Sequence, residues 1–196
     1  MANTEETVVR MNLLRRHKQT AGAMAADITS QFDEVYRAYL RPVYAFVAFR
    51  VGNRAAAEDI TAQVFEKAWR GYPRFDPRKA AISTWLFTIA RNSLTDHYRS
   101  AGRKTDEVEL PDDLGAGAES DPVPRLEALE LRRELNAALT SLEPRELEIV
   151  SLKFGGAMTN RDISTLLQIS ESNVGTILYR SLKKMKTRIE GGIKND

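Results

Sequence analysis

Apolar residues recur along most of the chain at steps of three and four. Phe32, Val35, Tyr36, Tyr39, Leu40, Val43, Tyr44 and Val47 line one face of a helix. Ser30 predicts its N-cap, with Asp33 and Glu34 in the first turn, where the helix dipole favours acids. Pro42 falls inside the pattern and predicts a kink or a division. Gly52-Asn53 predicts the end. A second helix is expected from about Arg54, with Ile60, Val64, Phe65, Ala68 and Trp69 on one side and Gly71 and Pro73 as its stop. Ser83 predicts the cap of a third helix carrying Trp85, Leu86, Ile89 and Ala90. A short break near Asn92-Ser93 predicts a fourth, with Leu94 and Tyr98 apolar and Arg99, Arg103 and Lys104 outside. Residues 1–28 show no sustained helical pattern and read as a mobile extension.

The pattern stops over residues 105–124. The acids there are Asp106, Glu107, Glu109, Asp112, Asp113, Glu119 and Asp121, with no Lys or Arg. Pro111, Pro122, Pro124, Gly115 and Gly117 are interspersed. One sign of charge, few apolar groups and several helix breakers predict a flexible linker. Periodicity then returns with Leu126, Leu129, Leu131, Leu135 and Leu139. Pro144 suits the first position of the next helix, where its missing N–H costs nothing. Leu147, Val150, Leu152 and Phe154 carry that helix to Gly155-Gly156.

Two short helices with a tight turn follow. Thr159 with Asp162 forms an acidic variant of the capping box, and Ile163, Leu166 and Leu167 face inward. Gln168-Ile169-Ser170 is the turn, and Ser170 caps the next helix. Val174, Ile177, Leu178, Leu182 and Met185 are its inward set. This is a helix-turn-helix pattern, which any antiparallel pair with a polar outer face can imitate. No strand-like alternation of useful length occurs. The expected fold is all-α: two small helical domains, residues 29–104 and 125–192, joined by the acidic linker, the second a helix-turn-helix.

Composition removes several functions. The 196 residues contain no cysteine, which excludes a disulfide scaffold, a thiolate zinc site and a cysteine nucleophile. With only His17 and His97, no histidine metal site is expected either. No apolar run approaches the ~18–20 residues of a membrane span, and no signal-peptide pattern follows the N-terminal charges. A cytoplasmic protein without membrane insertion is the expectation. There is no Ser/His/Asp order, no glycine-rich phosphate loop and no acid pair in a pocket-like setting. No enzyme activity, cofactor or small-molecule substrate is therefore expected.

The net charge of +2 hides a segregation. Lys67, Arg70, Arg74, Arg78, Lys79, Arg91, Arg99, Arg103 and Lys104 precede the acidic stretch, and Arg180, Lys183, Lys184, Lys186, Arg188 and Lys194 close the chain. Two basic modules on an acidic tether fit a polyanion bound at two places. Two solvated helix faces and a spacer are the plainer alternative.

Three strings give these modules a family likeness. The first is Ala57-Glu58-Asp59-Ile60-Thr61-Ala62-Gln63-Val64-Phe65 followed by Lys67-Ala68-Trp69. The second is Phe75, then Thr84-Trp85-Leu86-Phe87-Thr88-Ile89-Ala90-Arg91-Asn92, then Asp96 and Arg99. The third is Leu142-Glu143-Pro144-Arg145, Phe154, Asp162-Ile163, Ile169-Ser170, Val174 and Arg180. Together they resemble the bacterial RNA polymerase sigma factors of the extracytoplasmic-function (ECF) group, over about residues 30–104 and 124–190. The strings resemble, in order, that family's core-polymerase-binding helix, its –10 recognition and melting segment, and its –35-reading helix-turn-helix. Three positions depart from the common pattern: Gln63-Val64 for Gln-Glu, Gln168 for a turn glycine, and Gly175-Thr176-Ile177 for a basic polar run.

The resemblance implies a transcription initiation factor with core RNA polymerase, promoter DNA and an anti-sigma factor as partners. Asp59, Gln63 and Trp69 become candidates for polymerase binding. For the –10 element the resemblance implies a loop that captures a flipped base, which falls on Asn92–Asp96. Asn92 and Asp96 would meet the base edge, and Arg91, Arg99, Arg103 and Lys104 would follow phosphates. Ser172, Asn173, Thr176, Tyr179 and Arg180 are candidates for the –35 major groove, with Lys183, Lys184 and Lys186 on phosphates. Trp85 invites a base-stacking role, but its neighbours Leu86 and Ile89 favour core packing, and the inward phase of Phe65 favours core as well. The competing expectation is a two-domain DNA-binding regulator that does not join polymerase.

Overall fold

A computed structural model describes residues 4–101 and 133–192, with side chains over 28–100 and 133–190. Every described element is helical. The first module holds α1 (Thr4–Val51), α2 (Arg54–Gly71), a 3-10 turn (Tyr72–Arg74) and α3 (Ile82–Ala101). The second holds α4 (133–140), α5 (Pro144–Val150) running into a π-helical turn (Ser151–Gly155), α6 (Asn160–Leu167) and α7 (Glu171–Gly192). The acidic linker 105–124, Arg103, Lys104, Leu126, Leu129 and Leu131 lie outside the described residues.

Caps fall where polar side chains permit them. Gly52 takes φ 60°, and Asn53 then accepts the N–H of Ala56 at 3.0 Å to start α2. Thr159 accepts the N–H of Asp162 at 3.1 Å and donates its hydroxyl to that carboxylate at 2.7 Å. Ser170 accepts the N–H of Asn173 at 3.1 Å. Gln168 turns the chain between α6 and α7 at φ 54°, ψ 44°. It thus holds the left-handed conformation without being glycine, a cost of ~1–2 kcal/mol that the turn absorbs.

Three expectations are corrected. The first helix begins at Thr4, inside the segment that the pattern leaves without helix. Residues 4–27 contain no Pro and one Gly, so propensity sustains a helix that lacks an amphipathic face. Of the kink or division expected at Pro42, the division does not occur, because α1 continues through it. The break at Asn92-Ser93 is absent, because α3 runs unbroken from Ile82 to Ala101. Ser93 and Leu94 are buried there, and Lys67 donates to the Ser93 hydroxyl at 3.0 Å, so packing overrides weak local propensity. Two smaller differences concern single residues. α3 starts at Ile82, one residue before the expected cap Ser83, and Leu182, expected inward, is exposed.

The two modules share one core, running from Phe32 through Phe46, Phe87, Leu139, Leu152 and Ile163 to Met185. α1 lies against the π turn, and α3 lies against α6. Phe46 and Phe87 are fully buried, with ring centroids 5.4 Å apart in an edge-on arrangement. Gly155 touches the α1 backbone: a Cβ there would lie 2.9 Å from the Phe46 nitrogen and 3.0 Å from the Ala45 carbonyl carbon. A Cβ on Gly156 would lie 2.8 Å from the Phe87 ring. The glycine pair expected as a helix stop therefore also permits close approach.

Candidate nucleic-acid interface

The helix-turn-helix delivers its expected face. Ser172, Asn173, Thr176, Tyr179, Arg180, Lys183 and Lys184 are all exposed, and their spacing holds them within one side of α7. Val174, Leu178 and Met185 bury the other side. Tyr179 is 69% exposed, so it is not a packing residue. A groove of about 660 Å³ opens beside α7, lined by Ser141, Arg180, Lys183, Lys184, Thr187 and Arg188. Four cations on one wall make it a phosphate-attracting surface. Lys184 also pairs with Glu146 at 3.3 Å, which ties α7 to the start of α5.

The candidates on α3 divide. Asn92, Asp96 and Arg99 fall at steps of four and three on one exposed face. Asp96 accepts from Lys67 at 3.5 Å and lies 3.9 Å from Arg99. Arg91 points elsewhere. Its Nε donates to Glu148 of α5 at 2.8 Å, and Arg145 donates to the other oxygen of Glu148 at 2.7 Å. Burial raises the Glu148 pKa, but hydrogen bonds and charge from Arg91, with Arg50 and Arg145, outweigh it and hold the carboxyl below its ordinary value. The Tyr98 hydroxyl donates to the Arg50 carbonyl beside this group. Burial pushes its phenol pKa up against the lowering charge of Arg50.

The capture loop expected at Asn92–Asp96 is thus a helical stripe. Irregular backbone occurs instead at residues 75–81, just before α3. Asp76 closes a turn there by accepting the N–H of Arg78 at 3.0 Å, leaving Arg78 and Lys79 exposed. An aromatic layer lies alongside: Trp85 packs 5.0 Å from Phe75 and 6.4 Å from Tyr72. Trp85 is half-buried in that layer, in line with the packing reading. Pro73 and Pro77, with the basic pair Arg78-Lys79 directly after them, were the available sequence signal for this loop.

On α2, Asp59 and Gln63 are exposed, and Trp69 is 42% exposed with its ring 5.1 Å from Phe32. Phe65 is buried, as its phase predicts. Beside them α1 and α2 leave an apolar groove of about 360 Å³, lined chiefly by Tyr36, Leu40, Tyr44, Ala62 and Phe65. Tyr36 rests edge-on against Phe65 at 4.8 Å. Glu58, Thr61, Ala62 and Phe65 form its α2 wall, and Trp69 continues the same helical spacing one turn further along α2. Sequence reasoning assigned Tyr36, Leu40 and Tyr44 to an apolar helix face without distinguishing groove from core.

The profile of Sigma-70 region 2 matches residues 35–104, and that of Sigma-70 region 4 matches residues 132–185. Their order and spacing are those of the two modules. The chain belongs to the ECF group of RNA polymerase sigma factors. Among its relatives is the ECF sigma factor SigM of Bacillus subtilis, 26% identical over 165 residues, covering 84% of this chain and 98% of that one. The ECF sigma factor BldN of Streptomyces coelicolor is 31% identical over 156 residues, 79% of this chain and 58% of BldN. Two solved structures share the fold. RpoE of Bartonella quintana, in complex with the anti-sigma factor NepR, aligns with a TM-score of 0.62 at 21% identity, over 82% of this chain and 97% of that one. CnrH with the cytosolic domain of CnrY aligns with a TM-score of 0.60 at 19% identity, over 86% and 96%. This sigma factor is a polymerase-binding promoter-specificity factor, and the stand-alone regulator is not favoured. No helix among the described residues is long and apolar enough to cross a membrane.

Proposed function

We propose a division of labour among three surfaces. The exposed face of α7 enters the major groove of the –35 element. Ser172, Asn173, Thr176, Tyr179 and Arg180 meet base edges, while Lys183 and Lys184 hold phosphates. Asn92, Asp96 and Arg99 on α3, with Arg78 and Lys79 of the preceding loop, hold the melted –10 strand. Opening duplex costs ~1.4 kcal/mol per stacked step, so freed bases need a receiving surface. Asp59, Gln63 and Trp69, with the adjoining α1–α2 groove, meet core polymerase, where a partly exposed tryptophan beside an apolar groove suits an interface anchor. No bond is made or broken in this work. A cytoplasmic location follows from these partners, and an inhibitory protein of the anti-sigma kind belongs to the same proposal.

The observation that carries the reading is the open, single-sided polar face of α7 set on a capped helix-turn-helix. In vitro transcription with core polymerase and a promoter library tests it. The wild type should start RNA chains at defined sites, and Asp59→Ala with Gln63→Ala should abolish core binding. Asn92→Ala should spare –35 duplex binding and weaken permanganate reactivity at –10. A chain that starts no RNA on any template defeats the proposal.

A further inference from the structure

Five glycines fall within residues 28–100 and 133–190, and the fold requires four of them. Gly52 holds a left-handed turn at φ 60°. A Cβ on Gly71 would lie 3.2 Å from the Trp85 ring, and Gly155 and Gly156 leave no room for one. Gly175, the fifth residue of α7, is different. Its backbone is not left-handed, and the nearest atom to a Cβ there would be Asn160 Nδ2 of α6 at 4.0 Å, an ordinary contact. Any good helix former would fit, and in a helix interior only proline is a poorer choice than glycine. Packing and backbone geometry leave this glycine unexplained.

Its place on α7 relates it to DNA. At about 100° per residue, Gly175 lies about 60° from Ser172, about 40° from Tyr179 and about 100° from Thr176, at the margin of the exposed face next to α6. A major groove ~12 Å wide leaves little clearance for a helix ~10–12 Å across, so a single side chain at that margin decides how far α7 enters. Depth matters most for the short side chains of the face, Ser172 and Thr176. Thr176 donates its hydroxyl to the Ser172 carbonyl at 3.0 Å, so it offers a base chiefly van der Waals contact. A gap of ~0.5–1 Å forfeits a quarter to a half of such a contact. Arg180 is long enough to tolerate the same gap. The family's common pattern has a basic polar run over 175–177, which would put a long cation at the groove wall; this chain has Gly175-Thr176-Ile177.

We propose that Gly175 is a notch that sets how deep α7 seats in the major groove, and that this depth gives Ser172 and Thr176 their part in –35 selectivity. Gly175 is thus a positioning residue, acting through the two short side chains beside it. A less stable helix is the cost. The inference rests on the promoter-binding reading above and adds to it a specificity determinant that carries no functional group.

The test uses the full chain loaded on core polymerase, at a promoter selected from the library, with the –35 element substituted one base pair at a time. Gly175→Ala adds one methyl, and Gly175→Lys adds a longer side chain with a cation. Melting followed by circular dichroism should show Gly175→Ala about 2–4 °C more stable than the wild type. Initiation at sub-saturating sigma should nevertheless fall about tenfold, and at least one –35 base pair that the wild type discriminates should lose its effect. Gly175→Lys should lose the same discrimination, although its charge alone would strengthen DNA binding. Thr176→Ala should reduce initiation in the wild type and have little further effect beside Gly175→Ala, whereas the Arg180→Ala loss should persist in both backgrounds. Undiminished –35 discrimination in Gly175→Ala, or equal Thr176→Ala losses in both backgrounds, overturns the inference and leaves the promoter-binding reading standing. A wild type that programs no transcription removes that reading, and this inference with it.

Discussion

The two helices proposed to meet DNA present their chemistry differently. On α7 all eight candidate residues, Lys186 included, lie on one exposed side, with a cationic groove alongside. On α3 the candidates are split: Asn92, Asp96 and Arg99 face solvent, while Arg91 is bound to Glu148. The difference follows from the tasks proposed for them. A duplex groove accepts a protruding helix as a rigid body, so readout by α7 needs only an unobstructed face. A melted strand exists only after opening, so a surface for it can be partly engaged within the protein until then. Several α3 charges are already neutralised, Asp96 by Lys67 and Arg99 and Arg91 by Glu148. On α7 the only described pairs are Lys184 with Glu146 and Lys186 with Glu190.

The comparison can be broken most forcefully at the shared core. Phe87 is fully buried at the seam, so Phe87→Ala should cost ~3–5 kcal/mol. Calorimetry should show the single unfolding transition of the wild type replaced by a lowered first module and a separate second one. Retention of one transition at the wild-type temperature would mean that the modules are not coupled through this ring. The next test sharpens the account of α7. Arg180→Ala should weaken –35 duplex binding by ~1–3 kcal/mol and relax specificity at one position. Lys183→Ala should weaken all sequences alike and reduce the salt slope by about one, measured by titration at several salt concentrations.

The smallest effect is expected from pH. The groups facing Glu148 are Arg91, Arg50 and Arg145, whose hydrogen bonds and charge favour its ionised form, and the nearby Tyr98 phenol is pushed up by burial. The contact between the modules lowers the Glu148 pKa, so its contribution is fully present above the ordinary carboxylate range. It is lost only as pH falls through the depressed value. Energy transfer between dyes attached to the two modules should be flat across neutral and mildly acidic pH and fall on stronger acidification, a fall that Glu148→Gln should remove.

Much of this was legible in sequence because it is local. The α7 face follows from helical phase, and Asn53, Pro144, Thr159 and Ser170 act within one turn of themselves. What escaped was set by distant contacts. Asn92-Ser93 reads as a break until Lys67 and the core bury Ser93 within α3. Arg91 reads as a free cation until Glu148, 57 positions away, comes beside it. Tyr36 and Leu40 carry the right apolar signal, but only the separation of α1 and α2 makes them groove walls.

The π turn gives the second module a dependence on residue count. Its widened ring, closed by the Gly156 N–H on the Ser151 carbonyl at 2.9 Å, accommodates one more amino acid than an α-helical turn. That surplus member determines which residue meets α1: Gly155 does, while Phe154 points outward at 54% exposure. Deleting a single position between Ser151 and Phe154 would rotate everything downstream by about 100°. Gly156 would then take the place of Gly155 and Ala157 that of Gly156, setting a methyl where a Cβ lies 2.8 Å from the Phe87 ring, so the two adjacent glycines leave this stretch no spare small residue for a shortened turn.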